Sequence, residues 1–466
     1  MKIAFFSSEV VPFAKTGGMA DVCGALPTAL EKLGHKVIIV MPLYRCVDAR
    51  QFNIKRLNNR VLTATMGNDI DVFFIDREEM FDRSGLYGNK HGDYPDNLDR
   101  FQYFCWEALM LLKQLHLRVD IVHCHDWQTG LVPVYLKFNL AKDTFYQGIK
   151  TVLSIHNLAF QGLFHKDMFP KLNLDQKLFG PEGLEFYDQI SLLKGGILYS
   201  DRISTVSPTY AEEIQLQEYG CGMEGVLLSR KENVKGILNG LDYAIWNPET
   251  DSLIVRNYGA ANPEGKAENK SVIQKEFHLS AGNKPLFGFV GRLSHQKGIE
   301  LIAEAAEELS ALDLHMVFLG IGETKYHNML ERLAVRFSET ISICLKFNEE
   351  LAHRIYAGSD FFLMPSSYEP CGLSQMISLS YGTVPVVYKT GGLADTITPF
   401  EISGNGIVFD RHDKTAFVDA VKRAVELYKK PQRFKSLVKK TFKYRFRWED
   451  SAKEYEKLYE DALSES

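Results

Sequence analysis

Short unbroken apolar blocks recur along this chain, separated by stretches with helical spacing. KIAFFSSEV at residues 2–10 is followed by a glycine-rich loop, then by apolar residues 22, 26, 29, 30 and 33, then by HKVIIVM at 35–41. That order reads strand, loop, helix, strand. Pro27 interrupts the helical pattern and predicts a kink or a restart there. The alternation continues with VDIVHCH at 119–125, TVLSIHN at 151–157, DRISTVS at 201–207 and VKGILNG at 234–240. Unbroken rather than alternating apolar runs indicate strands buried on both faces, as in a parallel sheet.

Between Leu241 and Pro285 the pattern gives way to a stretch rich in Pro, Asn and Asp, which places a domain boundary there. A second series follows: PLFGFVGR (285–292), a helix over about 297–312, LHMVFLGIG (314–322), ISICLKF (341–347), a helix over 348–358, DFFLMPS (360–366), a helix from 373, TVPVVYK (383–389) and NGIVF (405–409). The expected domains are 1–242, a linker over 243–262, and 263–448. Two doubly wound α/β domains in tandem should hold ligands at the carboxyl ends of their strands.

Length agrees with two cores, since 466 residues exceed what one core usually organises. Hydrophobic residues at 45% and charged residues at 24% give an ordinary globular balance. Net charge is -5, so there is no general attraction for nucleic acid or anionic membrane. The basic run from Lys429 to Arg447 reads as solvated helix faces. Seven cysteines, odd in number and without a CxxC pair, argue against a disulfide framework and a structural zinc site, and fit a reducing cytoplasm. Neither a leader peptide nor a membrane span is expected.

One loop is written twice: KTGGMAD at 15–21 and KTGGLAD at 389–395. A glycine pair lets backbone approach an anion closely, a following helix start supplies N–H donors, and the lysine adds charge. Arg292 ends one predicted strand and Lys297 opens the next helix, converging two cations on an anion site. Glu369, in SSYEPCGL, is held at a strand end by a proline and a glycine, where a carboxylate can grip sugar hydroxyls or steady positive charge on a sugar ring; by position alone an inert helix-start acid fits equally well. His123, His125 and Asp126 in VHCHDW could suggest a metal, but no third ligand lies nearby in sequence, and Trp127 suits a sugar face better. His156 and Asn157 end another strand; a lone histidine is more often structural, and only its strand-end position raises it. There is no GxxxxGK[ST], the first glycine loop lacks GxGxxG, and the second strand ends in Met41-Pro42 rather than an acid, which disfavours P-loop and nicotinamide enzymes.

Taken together and in this order, KTGGMAD, HDWQTG, HNLAFQG, NGLD, GRLSHQKG, EPCGL and KTGGLAD resemble the bacterial and plant glycogen/starch synthases of glycosyltransferase family 5. The resemblance runs nearly end to end. It implies the GT-B architecture, two Rossmann-like domains facing a deep cleft, with a terminal helix at about 449–466 returning to the first domain. It implies glucose transfer from ADP-glucose to the non-reducing end of an α-1,4-glucan with retained configuration and no metal or other cofactor. Lys15, Asp126, His156, Arg292, Lys297 and Glu369 are then the catalytic set. Gly17, Gly18, Phe347, Cys371, Gly372, Leu373, Thr390, Gly391 and Gly392 would bind the donor, and Trp127, Asn157 and Asn239 the acceptor. Phe347 falls where the family sets an aromatic against the adenine.

Overall fold

The computed structural model describes residues 1–89 and 92–464. The chain divides into two compact units, Met1–Gly240 with Trp448–Ser466, and Leu241–Arg447.

In the first unit, nine strands form one sheet among the described residues: β1 Lys2–Phe6, β2 Lys36–Pro42, β3 Lys55–Asn58, β4 Val61–Met66, β5 Ile70–Ile75, β6 Ile121–His125, β7 Lys150–Ile155, β8 Arg202–Thr205 and β9 Val234–Gly236. Their order is β9-β8-β7-β6-β1-β2-β5-β4-β3. All neighbours are parallel except β5-β4 and β4-β3. Ile3 to Phe6 are fully buried, as a strand covered on both faces requires. Chain order reverses on either side of β1, so the carboxyl ends of β1 and β6 open a switch-point crevice. Helix α1, Gly18–Lys32, packs on β2 and on the terminal helix. It is continuous through Pro27, which costs only the donor that the Cys23 carbonyl would otherwise receive, so the expected restart is absent.

The second unit carries a fully parallel six-stranded sheet: β10 Leu286–Val290, β11 His315–Leu319, β12 Ile341–Cys344, β13 Phe361–Met364, β14 Val384–Tyr388 and β15 Ile407–Phe409, in the order β12-β11-β10-β13-β14-β15. Its switch point lies beside β10, between the ends of β10 and β13. Buried Asp360 accepts from Leu286 N at 2.8 Å and Lys270 Nζ at 2.7 Å, tying helix Gly265–Glu276 to the sheet. The stretch 243–262 is packed into this unit rather than spanning freely. Tyr258 Oη lies 2.8 Å from the Tyr381 carbonyl and 3.1 Å from that of Ala357, while Asp251 accepts from Tyr381 Oη at 2.5 Å and pairs with His353 Nδ1 at 2.8 Å.

Short helix α2, Gly391–Thr396, follows β14, and α3, Trp448–Ser464, belongs to the first unit. There Tyr459 Oη meets His123 Nδ1 at 2.8 Å, His123 Nε2 meets Ser154 Oγ at 2.6 Å, and Ser154 Oγ meets Ser204 Oγ at 2.5 Å, a buried polar chain across the sheet. The basic helix Pro431–Thr441 buries Leu437, Val438 and Thr441 and turns most of its cations to solvent.

Candidate active site

In the first unit the site grows from the ends of β1, β6 and β7. After β1 the chain places Glu9, only 3% exposed, beneath the glycine loop. The Glu9 carboxylate accepts from the Thr16 backbone N–H, from Thr16 Oγ1 at 2.6 Å, from Gly17 N at 3.2 Å and from Tyr87 Oη at 2.6 Å. A buried acid thus holds the loop from inside, occupying backbone donors that an anion would otherwise meet. Outside, a Cβ added to Gly17 or Gly18 would touch nothing within 4 Å. Lys15 Nζ pairs with Asp21 at 2.6 Å, which keeps the cation over the first turn of α1.

At the end of β6, Asp126 sits at φ 54° and ψ -167°, a backbone conformation that costs a non-glycine residue about 1–3 kcal/mol. Its Oδ1 accepts from His156 N at 2.7 Å. Burial pushes the carboxyl up to about 7, only partly offset by the N–H groups of His156 and Asn157. His156 stacks on His125 at 5.3 Å, with His125 Nδ1 3.0 Å from His156 Nε2. Burial pulls His156 down to about 3, so its imidazole is neutral. This edge therefore offers a neutral imidazole and an acid poised near neutrality, suited to hydrogen bonding and proton sharing.

In the second unit the site grows from the ends of β10, β13 and β14. Lys297 Nζ meets Glu369 Oε2 at 2.6 Å, and Ser366 Oγ donates to the same oxygen at 2.9 Å. Glu369 is 5% exposed. Ser367 N donates to the Gln296 carbonyl at 2.9 Å and Gln296 Nε2 to the Tyr368 carbonyl at 3.2 Å, clamping the two loops together. Gly392 N donates to the Glu369 carbonyl at 3.0 Å. A Cβ on Gly391 would lie 2.0 Å from the Glu369 carbonyl oxygen, and one on Gly392 2.0 Å from that of Cys371. Gly391 also adopts φ +43°, so glycine is needed there twice over. Arg292 is exposed just beyond β10.

A starch synthase catalytic domain family matches residues 2–229, and the family of glycosyl transferases group 1 matches residues 272–441. Glycogen synthase from Geotalea daltonii is 45% identical over 100% of this chain and 99% of its own, and glycogen synthase 2 from Geobacter sulfurreducens 42% over 98% of each. The chain belongs to the glycogen and starch synthase family. The catalytic domain of starch synthase IV from Arabidopsis thaliana, solved with ADP and acarbose, is 33% identical with a TM-score of 0.90, covering 99% of both chains. Sucrose-phosphate synthase from Thermosynechococcus elongatus, 16% identical with a TM-score of 0.63 over 100% of both chains, shares the fold. The two parallel-sheet units are thus those of a GT-B glycosyltransferase.

The glycogen synthase motifs gather in two groups. Lys15, Gly17, Gly18, Asp126, His156 and Asn157 lie in the segments that follow β1, β6 and β7 of the first unit, and Arg292, Lys297, Glu369, Cys371, Gly372, Leu373, Thr390, Gly391 and Gly392 in those that follow β10, β13 and β14 of the second. Trp127, expected to face the acceptor, is largely buried. The residue is 9% exposed, its indole set edge-on to Phe101 at 5.0 Å, near Tyr87 and Phe164, and close enough to Gly162 to forbid a Cβ there. These aromatic contacts brace the indole within its own unit. Phe347 is 79% exposed just after β12, a ring without cover from its own unit. Asn239 is buried, with Oδ1 lacking a partner among the described residues. Glu9 and Tyr87 escaped the sequence reading. SSEV reads only as a strand end, and the acid's partners lie on the glycine loop and about eighty residues away.

Proposed function

We propose that this protein transfers glucose from ADP-glucose to the 4-hydroxyl at the non-reducing end of an α-1,4-glucan, keeping the anomeric configuration and using no metal. The observation that carries this reading is the Lys297–Glu369–Ser366 cluster at the switch point of the second unit, braced from behind by Gly391 and Gly392. Departure of a diphosphate leaves positive charge on the sugar ring and negative charge on the leaving oxygen. A fixed carboxylate beside a lysine stabilises both without reorganising.

In this reading Arg292 and Lys297 neutralise the departing ADP, and Glu369 faces the donor glucose. Thr390, Gly391, Gly392, Cys371, Gly372 and Leu373 hold the donor, and Phe347 lies against its base. Lys15, Gly17 and Gly18 form the first unit's own anion-binding loop, where the open flank of both glycines supports close approach. His156, neutral, hydrogen-bonds sugar hydroxyls, Asp126 orients it, and Asn157 and Asn239 meet the acceptor. Attack comes from the face the diphosphate leaves, so the leaving oxygens take up the acceptor's proton and no covalent sugar-enzyme bond forms. The seven free cysteines support a cytoplasmic setting.

The test is ADP release from purified protein with ADP-glucose or UDP-glucose, with and without glycogen, beside Glu369→Ala. Glycogen-dependent release from ADP-glucose that collapses in the variant is expected. Glycogen binding without turnover of either donor would instead mark a silent glucan-binding scaffold.

A further inference from the structure

Cys23, His125 and His156 come from three separate segments, the first turns of α1, the end of β6 and the residue after β7. Each offers one ligand atom, and these atoms all lie within 4.8 Å of one another. Sequence spacing hides the group, because the histidine neighbouring His125 in sequence is not the one that joins it. His123 has both ring nitrogens occupied, by Tyr459 and Ser154. His125 is different: Nδ1 meets His156, while Nε2 is buried and has no hydrogen-bond partner among the described residues. A buried imidazole nitrogen without a partner forfeits hydration with nothing in exchange, unless something else comes to bind it. A thiol and two neutral imidazoles are the donor set that thiophilic transition metals prefer.

We propose that Cys23, His125 and His156 form a binding site for a thiophilic divalent transition metal such as Zn2+, and that occupation withdraws His156 from glucosyl transfer. The site is inhibitory rather than catalytic, and only its effect on transfer rests on the function proposed above. Tetrahedral ligands at about 2.0–2.3 Å from an ion lie roughly 3.3–3.8 Å apart, so closure of about 1 Å suffices. On binding, the Cys23 S–H bond is replaced by a sulfur–metal bond and its proton leaves to buffer. Both imidazoles coordinate through lone pairs, with no change of oxidation state. Three protein ligands leave a fourth position for water, on the side where His156 is only half-buried.

The full chain, with the less buried Cys46, Cys221 and Cys344 changed to Ser, is titrated with Co2+ under reducing conditions. A thiolate-to-cobalt charge-transfer band saturating near one equivalent, displaced by Zn2+ and absent in Cys23→Ser and Cys23→Ala, is expected. Zn2+ should inhibit transfer in this background about tenfold more strongly than in the Cys23 variants. Absence of the band, or its persistence in both variants with thermal midpoints near the parent's, overturns the proposal. Because the band is read without substrate, loss of the transfer reading would leave it standing.

Discussion

The two units carry the same glycine loop and pack it in opposite ways. In the first, Gly17 and Gly18 face open space on the side where a Cβ would go, while Glu9 grips the loop backbone from within. In the second, Gly391 and Gly392 press onto the carbonyls of Glu369 and Cys371, so the missing Cβ atoms serve the packing that sets Glu369. A glycine pair states only that something must come close. What comes close is decided by neighbours: the protein's own backbone in one case, open solvent available to a ligand in the other. The acids differ likewise, with Glu369 ion-paired to Lys297 and Asp126 held only by backbone N–H groups in a strained turn.

The largest effect should come from the second unit's cluster. Glu369→Ala or Lys297→Ala is expected to lower kcat about 10³-fold with little change in glycogen binding, read by ADP release and glycogen co-sedimentation. A loss shared equally by binding and turnover would remove the contrast between the acids. Next, Gly392→Ala forces a methyl into the Cys371 carbonyl and should cost about 3 kcal/mol in chemical denaturation. Gly18→Ala should stay within about 0.5 kcal/mol of the parent while raising KM for ADP-glucose. Equal destabilisation by the two substitutions would erase the distinction between the loops.

A smaller effect belongs to Asp126. Its carboxyl is raised from 3.8 to about 7 in the fold, so the folded protein holds the proton more tightly than the unfolded chain. The stabilisation this gives is fully present below about pH 4 and is lost as pH rises through 7, at most about 4 kcal/mol by linkage. Asp126→Asn should therefore gain about 2.6 kcal/mol relative to the parent between pH 5 and pH 8, measured by urea unfolding at each pH. His156, lowered to about 3, runs the other way, its stabilisation growing from about pH 3 to 6.5 and complete above that. It is common to both proteins and cancels in the difference. Smallest, Glu9→Gln should weaken the clamp on Thr16 and Gly17 by about 1 kcal/mol and loosen the loop, read as faster amide exchange at those two residues.

Both parallel sheets and the strand-end positions of the motifs were legible because period and punctuation are local signals: unbroken apolar runs, then Gly, His, Glu or Arg at the break. The packing of Trp127 was not, since an aromatic beside HD reads alike whether its faces meet sugar or Phe101 and Phe164. The 243–262 stretch looked like a linker because Pro and Asn report irregular backbone, not whether Tyr258 and Asp251 find partners a hundred residues on. Antiparallel β3, KRLN, went unread because all four of its residues are exposed, and β4, VLTATM, because two threonines break its apolar positions. Glu9 and Cys23 draw their roles from contacts across the fold, which no spacing along the chain encodes.

The most direct test uses ADP-glucose labelled with 13C at the anomeric carbon, incubated with glycogen and the parent or the Glu369→Ala protein, and followed by NMR. An α-anomeric signal growing in the polymer with the parent and nearly absent with the variant is the predicted result. A β-linked signal, label appearing only as free glucose, or incorporation unchanged in the variant would contradict a retaining transfer organised around Glu369.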